Sequence, residues 1–330
     1  MFNQIIQRDI QQAVALLRAG KLVAFPTETV YGLGADASNP TAVAKIFAAK
    51  GRPADHPVIV HLAHRDQLKE WARDISPLAW QLAEHFWPGP LTLILPKAHH
   101  VPTIITGGQD SIGLRVPNHP IAQALLQAFA GGIAAPSANR FGHISPTLAS
   151  HVRQDLGAAV DLILDGDDCP IGIESTIVDV SGGAAVILRP GAITASQINA
   201  VLGNRVASVD KSTVRASGML LKHYSPQTAL QLIDSALLEP TLKQKLAQGL
   251  TVAVLARYSV VMTDKHLRWI NMPIDAIPYA HELYSRLHEI DLMNVELILV
   301  EDVPEDETWL AIRDRLQKAA GNLKISYNKD

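Results

Sequence analysis

Residues 204–227 interrupt the pattern of this chain, and the interruption constrains the fold more than any other feature. On either side, short apolar runs alternate with stretches of helical periodicity. Within it, Asn, Arg, Ser, Asp, Lys and Thr follow one another without a period, ending in the segment SGMLLKHYSP. Such a stretch reads as a connector between folded units. At 330 residues the chain is also too long for one ordinary core. The expected organisation is a larger domain over 1–205, a linker over 206–227 and a smaller domain over 228–330.

Before the break, Ile10, Val14 and Leu17 recur at helical spacing, and Gly20 closes a helix over 8–19. Further helices are expected at 40–50, 65–72, 77–86, 119–129, 147–156 and 194–202. The run Ser38-Asn39-Pro40-Thr41 places capping residues and an early proline at the start of the second helix. Strands are expected at 22–25, 58–62, 91–95, 111–116, 132–136, 161–164, 175–180 and 185–189. Two successive strands at 175–189 imply an α/β domain with a mixed, twisted sheet and flanking helices, not a repeated βαβ unit. After the break, strands at 229–233, 251–256 and 296–300 alternate with helices at 240–248, 276–291 and 308–320. That simpler pattern predicts a small Rossmann-like α/β domain.

The formal net charge of −3 gives no global basic field of the kind non-specific nucleic-acid binders use. Cys169 is the single cysteine, so neither a disulfide within the chain nor a cysteine zinc site is available. It lies in Gly166-Asp167-Asp168-Cys169-Pro170 without a basic neighbour, which argues for a structural thiol. The 13 histidines include no H-E-x-x-H, and no metal ligands are assigned. The first residues lack a signal peptide's apolar core, and no run approaches the ~18 apolar residues of a membrane span. A cytoplasmic protein is expected.

Five segments concentrate residues capable of chemistry. In PTETVYGLGADA, residues 26–37, the glycines form a loose G-x-G-x-x-A, but six residues separate them from the strand and the helix starts only near Pro40. A dinucleotide fingerprint requires the reverse, and a P-loop is absent. In KGRPADHPVIVHL, residues 50–62, Lys50 and Arg52 either complement a helix C-terminus or clamp phosphates. In SIGLRVPNHP, alternation puts Arg115 on the same face as Gly113, where a missing side chain leaves room for a ligand or a backbone. APSANRFGHISPT, residues 135–147, lacks the G-x-S-x-G elbow, so Ser137 reads as a hydrogen-bonding group and not a nucleophile. In IESTIVDV and ILRPGAI, Ser175 opens one strand and Arg189 ends the next, where α/β folds commonly hold ligands.

In order, PTETVYGLG, KGRP, IVH, WPGPLT, GLRVP, PSAN, ESTIVD and LRPG resemble the threonylcarbamoyl-AMP synthase family, the YrdC-like domain, over residues 8–205. GMLLKHYSP resembles the linker of the family's long, two-domain form, in which that segment lies over the active site, and the last ~100 residues match its accessory domain, a size usual for a domain. The resemblance implies an ATP-using nucleotidyltransferase that joins L-threonine, bicarbonate or CO2, and ATP with its Mg2+ into threonylcarbamoyl-AMP and pyrophosphate. A separate transferase complex then carries the group to adenosine in tRNA. By the same resemblance, Thr29, His61, Arg115, Ser137 and Ser175 contact threonine. Lys50, Arg52, His56, Ser111, Asn139, Ser145 and Arg189 surround ATP, Lys50 and Arg52 act in catalysis, and Tyr224 closes over the nucleotide from the linker. The chain has His56 where asparagine is common, Ser217 before Gly218 where proline is common, and Arg140-Phe141-Gly142 where Leu-Ser-Gly is common.

The implied chemistry suits these residues. A neutral amine attacks CO2, and the carbamate, short-lived in water, attacks the α-phosphate. That calls for positioning, charge neutralisation and exclusion of water, not a protein nucleophile. Two other readings are weighed against it. An RNA-binding module would show aromatic residues interleaved with basic ones, which this chain lacks. A carbamoyl transferase of hydrogenase maturation shares the domain but carries zinc-finger cysteines.

Overall fold

The structure is a computed structural model. It describes residues 2–182, 184–203, 206–207, 214–219, 223–259, 262–321 and 324–325. The chain divides into two compact units, 1–141 with 145–219, and 142–144 with 220–330.

The first unit runs α1 (Phe2–Arg18), β1 (Val23–Phe25), β2 (Gly32–Asp36), α2 (Pro40–Lys50), β3 (Ile59–His61), α3 (Leu68–Trp71), α4 (Pro77–Phe86), β4 (Leu91–Pro96), α5 (Thr103–Thr106), β5 (Ser111–Arg115), α6 (Pro120–Phe129), β6 (Ile133–Ala134), α7 (Ala149–Leu156), β7 (Leu162–Ile163), β8 (Thr176–Asp179), β9 (Ala185–Arg189), α8 (Ala195–Leu202) and β10 (Val206–Ala207). The strands form one mixed sheet in the order β10-β9-β8-β4-β5-β3-β6-β2-β1-β7. The sheet thus runs two residues past the boundary expected at 205, because Val206 and Ala207 pair with Ala185 and Val186 at its edge.

Local chemistry explains the helix ends. Asn39 accepts hydrogen bonds from the amides of Thr41 and Ala42, and Pro40 takes the position where a missing N–H costs nothing. Thr194 and Gln197 form a reciprocal capping box at α8. β2 was not expected, because its Gly-Leu-Gly reads as a loop. A Cβ at Gly34 would lie 2.9 Å from Phe25 Cε1 and 3.0 Å from both Ile133 Cγ2 and the Val23 carbonyl. The glycine therefore serves close strand packing around Phe25, not a dinucleotide.

The two faces of the sheet differ. One face, carrying Val60, Leu91, Leu93, Leu95, Ile112 and Leu114, is buried in the main core with residues of α2, α4, α5 and α8. The other face is covered by α1 and α6 around Val23, Phe25 and Ile133. On β3, β5, β4 and β8 that second face carries Ile59 and His61, Gly113 and Arg115, Thr92 and Ile94, and Ile177, aligned by register. Val214 and Ala216 pack there against a small cluster of Ile94, Ile177, Val186 and Leu188.

The second unit runs β11 (Ala229–Ile233), α9 (Ser235–Ala247), β12 (Val252–Ala256), β13 (Leu267–Asn271), α10 (Ala276–Asp291), β14 (Leu297–Glu301), α11 (Leu310–Ala320) and β15 (Lys324–Ile325). Its sheet is all parallel, in the order β13-β12-β14-β11-β15. It is Rossmann-like in that respect, with β14 lying between β11 and β12. Helix α9 begins five residues before Pro240 instead of at it, because Asp234 caps the Ala236 amide. No helix among the described residues is long and apolar enough to cross a membrane.

Gly34→Ala should lower unfolding stability by about 1–3 kcal/mol, the usual cost of overpacking, read from urea unfolding of the full chain. An unchanged midpoint would show that Phe25 and the Val23 backbone shift without cost.

Candidate active site on the open sheet face

Arg115 organises the site. It ends β5 directly opposite His61 of β3, and its side chain is 4% exposed. Its Nε donates to the Gly89 carbonyl at 3.2 Å and its Nη1 to Thr29 Oγ1 at 2.9 Å. Nη2 lies 2.7 Å from Glu28 Oε1. Thr29 is fixed in turn, its hydroxyl 2.8 Å from that of Thr27, which donates to the Val30 carbonyl. Glu28 was not singled out from the sequence; the signal was a charge between two threonines in a turn leading into glycines.

His61 is buried, its ring edge-on to Phe25 at 6.0 Å. Burial, and then the charge of Arg115, push its pKa down to about 3. His61 is therefore a neutral imidazole near pH 7.

Ser175 and Arg189 form the far side. Arg189 Nε and Nη2 donate to the Ser175 carbonyl at 3.1 and 2.9 Å, and Nη2 reaches Ser175 Oγ at 3.1 Å. Ser175 Oγ lies 2.8 Å from Thr92 Oγ1. Neighbouring Glu174 accepts a 2.5 Å bond from Ser145. As expected, these groups stand where strands give way to loops: Arg189 ends β9 and Ser175 precedes β8, at the same end of the sheet as His61 and Arg115, which end β3 and β5. The register adds which face they share: Arg189 pairs with Ile177 across β8 and β9, on the side of the sheet that Gly113 also faces.

Lys50 is the last residue of α2, and Arg52 follows it across a left-handed Gly51. Lys50 Nζ donates to the Ser137 carbonyl at 2.5 Å and to the Asn139 carbonyl. Burial, then the charge of Arg52, hold its pKa well below the ordinary lysine value. Arg52 Nη2 donates to the Pro57 carbonyl at 2.8 Å and to Ser217 Oγ at 3.3 Å. The two cations thus brace loops beside the sheet. The 136–139 loop is itself stitched to β2 by Leu33 N to Pro136 O and Ala138 N to Tyr31 O, both 2.8 Å. Ser137 is half-buried, and Asn139 Nδ2 donates to the Arg140 carbonyl at 2.8 Å.

His56 and Arg52 both meet the ring of Phe141, His56 edge-on at 5.3 Å and the guanidinium at 5.7 Å. Burial, then Arg52, lower the His56 pKa. Ser111 stands at the start of β5 beside a recess that Pro57, Gly113, Ile177 and Ser217 also line. Ser217 crosses this region. Its hydroxyl donates to the Pro57 carbonyl at 2.9 Å, and its carbonyl accepts from Arg189 Nη1 at 3.2 Å.

Tyr224 is built into the second unit. Its backbone is left-handed at φ 60°, its side chain is buried, and its ring stacks on Tyr284 at 5.9 Å beneath the Arg315 guanidinium at 5.3 Å. Of the linker's apolar segment, residues 220–222 lie outside the described residues. Cys169 is buried, and burial raises its thiol pKa far above the ordinary value, which removes it as a nucleophile.

A mixed sheet with buried guanidinium groups, hydroxyls and a neutral imidazole on one face defines an α/β protein with the chemistry to receive a small charged ligand there. Comparison with known proteins specifies it further. A family model described as "Telomere recombination" matches residues 15–191, and one described as "Threonylcarbamoyl-AMP synthase, C-terminal domain" matches 193–321. The chain is 40% identical to the threonylcarbamoyl-AMP synthase of Pyrococcus abyssi, over 97% of this chain and 96% of that one. It is also 40% identical to that of Bacillus subtilis, over 96% and 94%. The crystal structure of P. abyssi Sua5 complexed with L-threonine matches with a TM-score of 0.88 and 39% identity, over 97% of this chain and 96% of that one. The chain belongs to the threonylcarbamoyl-AMP synthase family, in its two-domain form.

The depressed His61 pKa carries a stability consequence. Between about 3 and the ordinary 6.5 the unfolded chain binds this proton and the folded chain does not. Stability is therefore full above pH 6.5 and falls as pH drops through that window, by up to about 1.4 kcal/mol per pH unit for one group. His61→Gln should flatten this limb in urea unfolding at pH 7 and pH 4.5. An identical pH dependence in the variant would show that His61 is not held neutral.

Proposed function

We propose that the open sheet face binds L-threonine and Mg-ATP side by side and joins them, with bicarbonate or CO2, into threonylcarbamoyl-AMP and pyrophosphate. The observation that carries this reading is the convergence of Thr29, His61, Arg115 and Ser175 on one sheet face, beside Arg189, Arg52 and Ser217. The likeness to a structure complexed with L-threonine supports the amino acid.

In this reading Arg115, Thr29, His61, Ser137 and Ser175 hold threonine. Lys50, Arg52, His56, Ser111, Asn139, Ser145 and Arg189 receive the nucleotide, the cations meeting its phosphates with charge-assisted hydrogen bonds. Lys50 and Arg52 stabilise the charge that develops as pyrophosphate leaves, since preorganised donors act most strongly where water is excluded. Neutral His61 adds no positive charge that would repel the substrate's ammonium group. Among the described residues no three His, Cys, Asp or Glu are placed to hold a metal ion. In this reading the magnesium is the ion that the triphosphate brings.

Residues 214–219 act as part of a cover over this face. Val214 and Ala216 pack on its apolar cluster, and Ser217 bridges Arg52 and Arg189. Such a cover retains a carbamate that water would destroy. Tyr224 is the linker residue that this reading assigns to the nucleotide. The adenylate then passes to a separate tRNA threonylcarbamoyl transferase complex.

Mass spectrometry of the products from Mg-ATP, bicarbonate and L-threonine tests the reaction. Threonylcarbamoyl-AMP should appear with pyrophosphate, and pyrophosphate release indifferent to threonine would overturn the reading. Arg52→Ala should lower ATP use about 10- to 150-fold, the equivalent of one lost charge-assisted bond, while the urea midpoint changes little. Unchanged kinetics would return Arg52 to a structural brace.

A further inference from the structure

We infer that Glu28 is the receptor for the α-ammonium group of the amino-acid substrate and the acceptor of its proton, paired with Arg115 as a receptor for a zwitterion. The inference rests on the proposed reaction and assigns a residue that the proposal leaves without a role.

Glu28 lies in the turn between β1 and β2 and is 4% exposed. A buried carboxylate has about four lone-pair positions to fill, and in folded proteins such positions are almost always filled. Here neither carboxylate oxygen makes a hydrogen bond of proper geometry. The 2.7 Å approach of Arg115 Nη2 to Oε1 is a charge contact, and that Nη2 is likewise without a hydrogen-bond acceptor. The adjacent backbone is engaged, since the Glu28 carbonyl accepts from Ile171 N at 2.9 Å. The unmet capacity therefore belongs to the side chains, on an anion and a cation placed side by side. Arg115 Nη1 donates to Thr29 Oγ1, which ties the pair to the residues proposed to hold threonine.

An α-amino acid at neutral pH presents a carboxylate two bonds from an ammonium. A guanidinium beside a carboxylate is the complementary pair, and each unmet group on the protein then finds its partner in the ligand. A neutral amine is needed for attack on CO2. One N–H bond of the ammonium breaks, its proton passes to a Glu28 oxygen, and the freed lone pair forms the C–N bond. A second ammonium proton combines with the hydroxide released when bicarbonate gives CO2, forming water. The balance is R-NH3+, HCO3− and Glu28 carboxylate going to R-NH-COO−, H2O and Glu28 carboxylic acid, which returns its proton to solvent after the product leaves.

The test is binding of L-threonine, and of 2,3-dihydroxybutanoate with a hydroxyl in place of the ammonium, to the full chain by calorimetry. Wild-type protein should prefer threonine, and Glu28→Gln should weaken threonine binding about 10- to 150-fold and erase that preference. Affinity for a non-hydrolysable Mg-ATP analogue should change no more than about 2-fold. Glu28→Asp, which keeps the charge, should retain the preference with weaker binding. A folded Glu28→Gln that keeps the wild-type preference would overturn the inference and leave the reaction standing. Failure of wild-type protein to bind threonine at all would instead overturn the reaction and the inference with it. Glu28→Gln strands Arg115 and can fail to fold, so the wild-type chain supplies a second readout. The Glu28 carboxyl carbon resonance should shift on adding threonine and not on adding dihydroxybutanoate, and equal responses would overturn the inference.

Discussion

A sheet that buries one face under helices, and part of the other under loop segments instead of helices, must satisfy that half with its own polar side chains. That constraint governs the first unit. Along β3, β4, β5 and β8 alternate residues go to the main core, and the intervening ones carry the arginine, histidine and hydroxyl groups of the site. Register does the assembly, because a slip of one residue would send Arg115 into the core and Leu114 to the ligand face.

The cations on and beside this face are buried, and burial of charge is costly unless each is paired or hydrogen-bonded. The chain meets the cost mostly with backbone carbonyls. Gly89 takes Arg115, Ser175 and Ser217 take Arg189, Pro57 takes Arg52, and Ser137 takes Lys50. Carbonyls carry no net charge, so the guanidinium groups keep their positive field for an anionic ligand. Glu28 is the exception, a full counter-charge placed where the ligand is itself zwitterionic. The same arrangement explains why no nucleophile is present: the work proposed for the site is holding charges in place, and the lone thiol is sealed in the core.

Much of the fold was legible because it rests on local signals. The capping run before α2, the periodicity of the helices and the alternation around Arg115 all appear as the sequence suggests. Elements whose residues are chosen for packing partners escaped. β2 looks like a loop until Phe25 is seen lying across its glycines. β13, Leu267–Asn271, carries two polar residues and finds its reason only in β12. The start of α9 was misplaced because Pro240 sits inside a helix that Asp234 begins. In the site, the ordered motifs named Arg115, Ser175 and Arg189, but not the face they share, which depends on register between strands far apart in the chain. Glu28 gave no periodic signal, since its importance lies in a contact with a residue 87 positions away.

Both ligands are proposed to lie on the sheet face of the first unit that carries Arg115 and Gly113. A crystal structure of the full chain with L-threonine and a non-hydrolysable Mg-ATP analogue tests this placement directly. Threonine density should appear against Arg115, Thr29 and Ser175, with the nucleotide phosphates near Arg52 and Arg189 across Gly113. Density for either ligand at the strand ends of the parallel sheet in the second unit, with the Gly113 face empty, would contradict it.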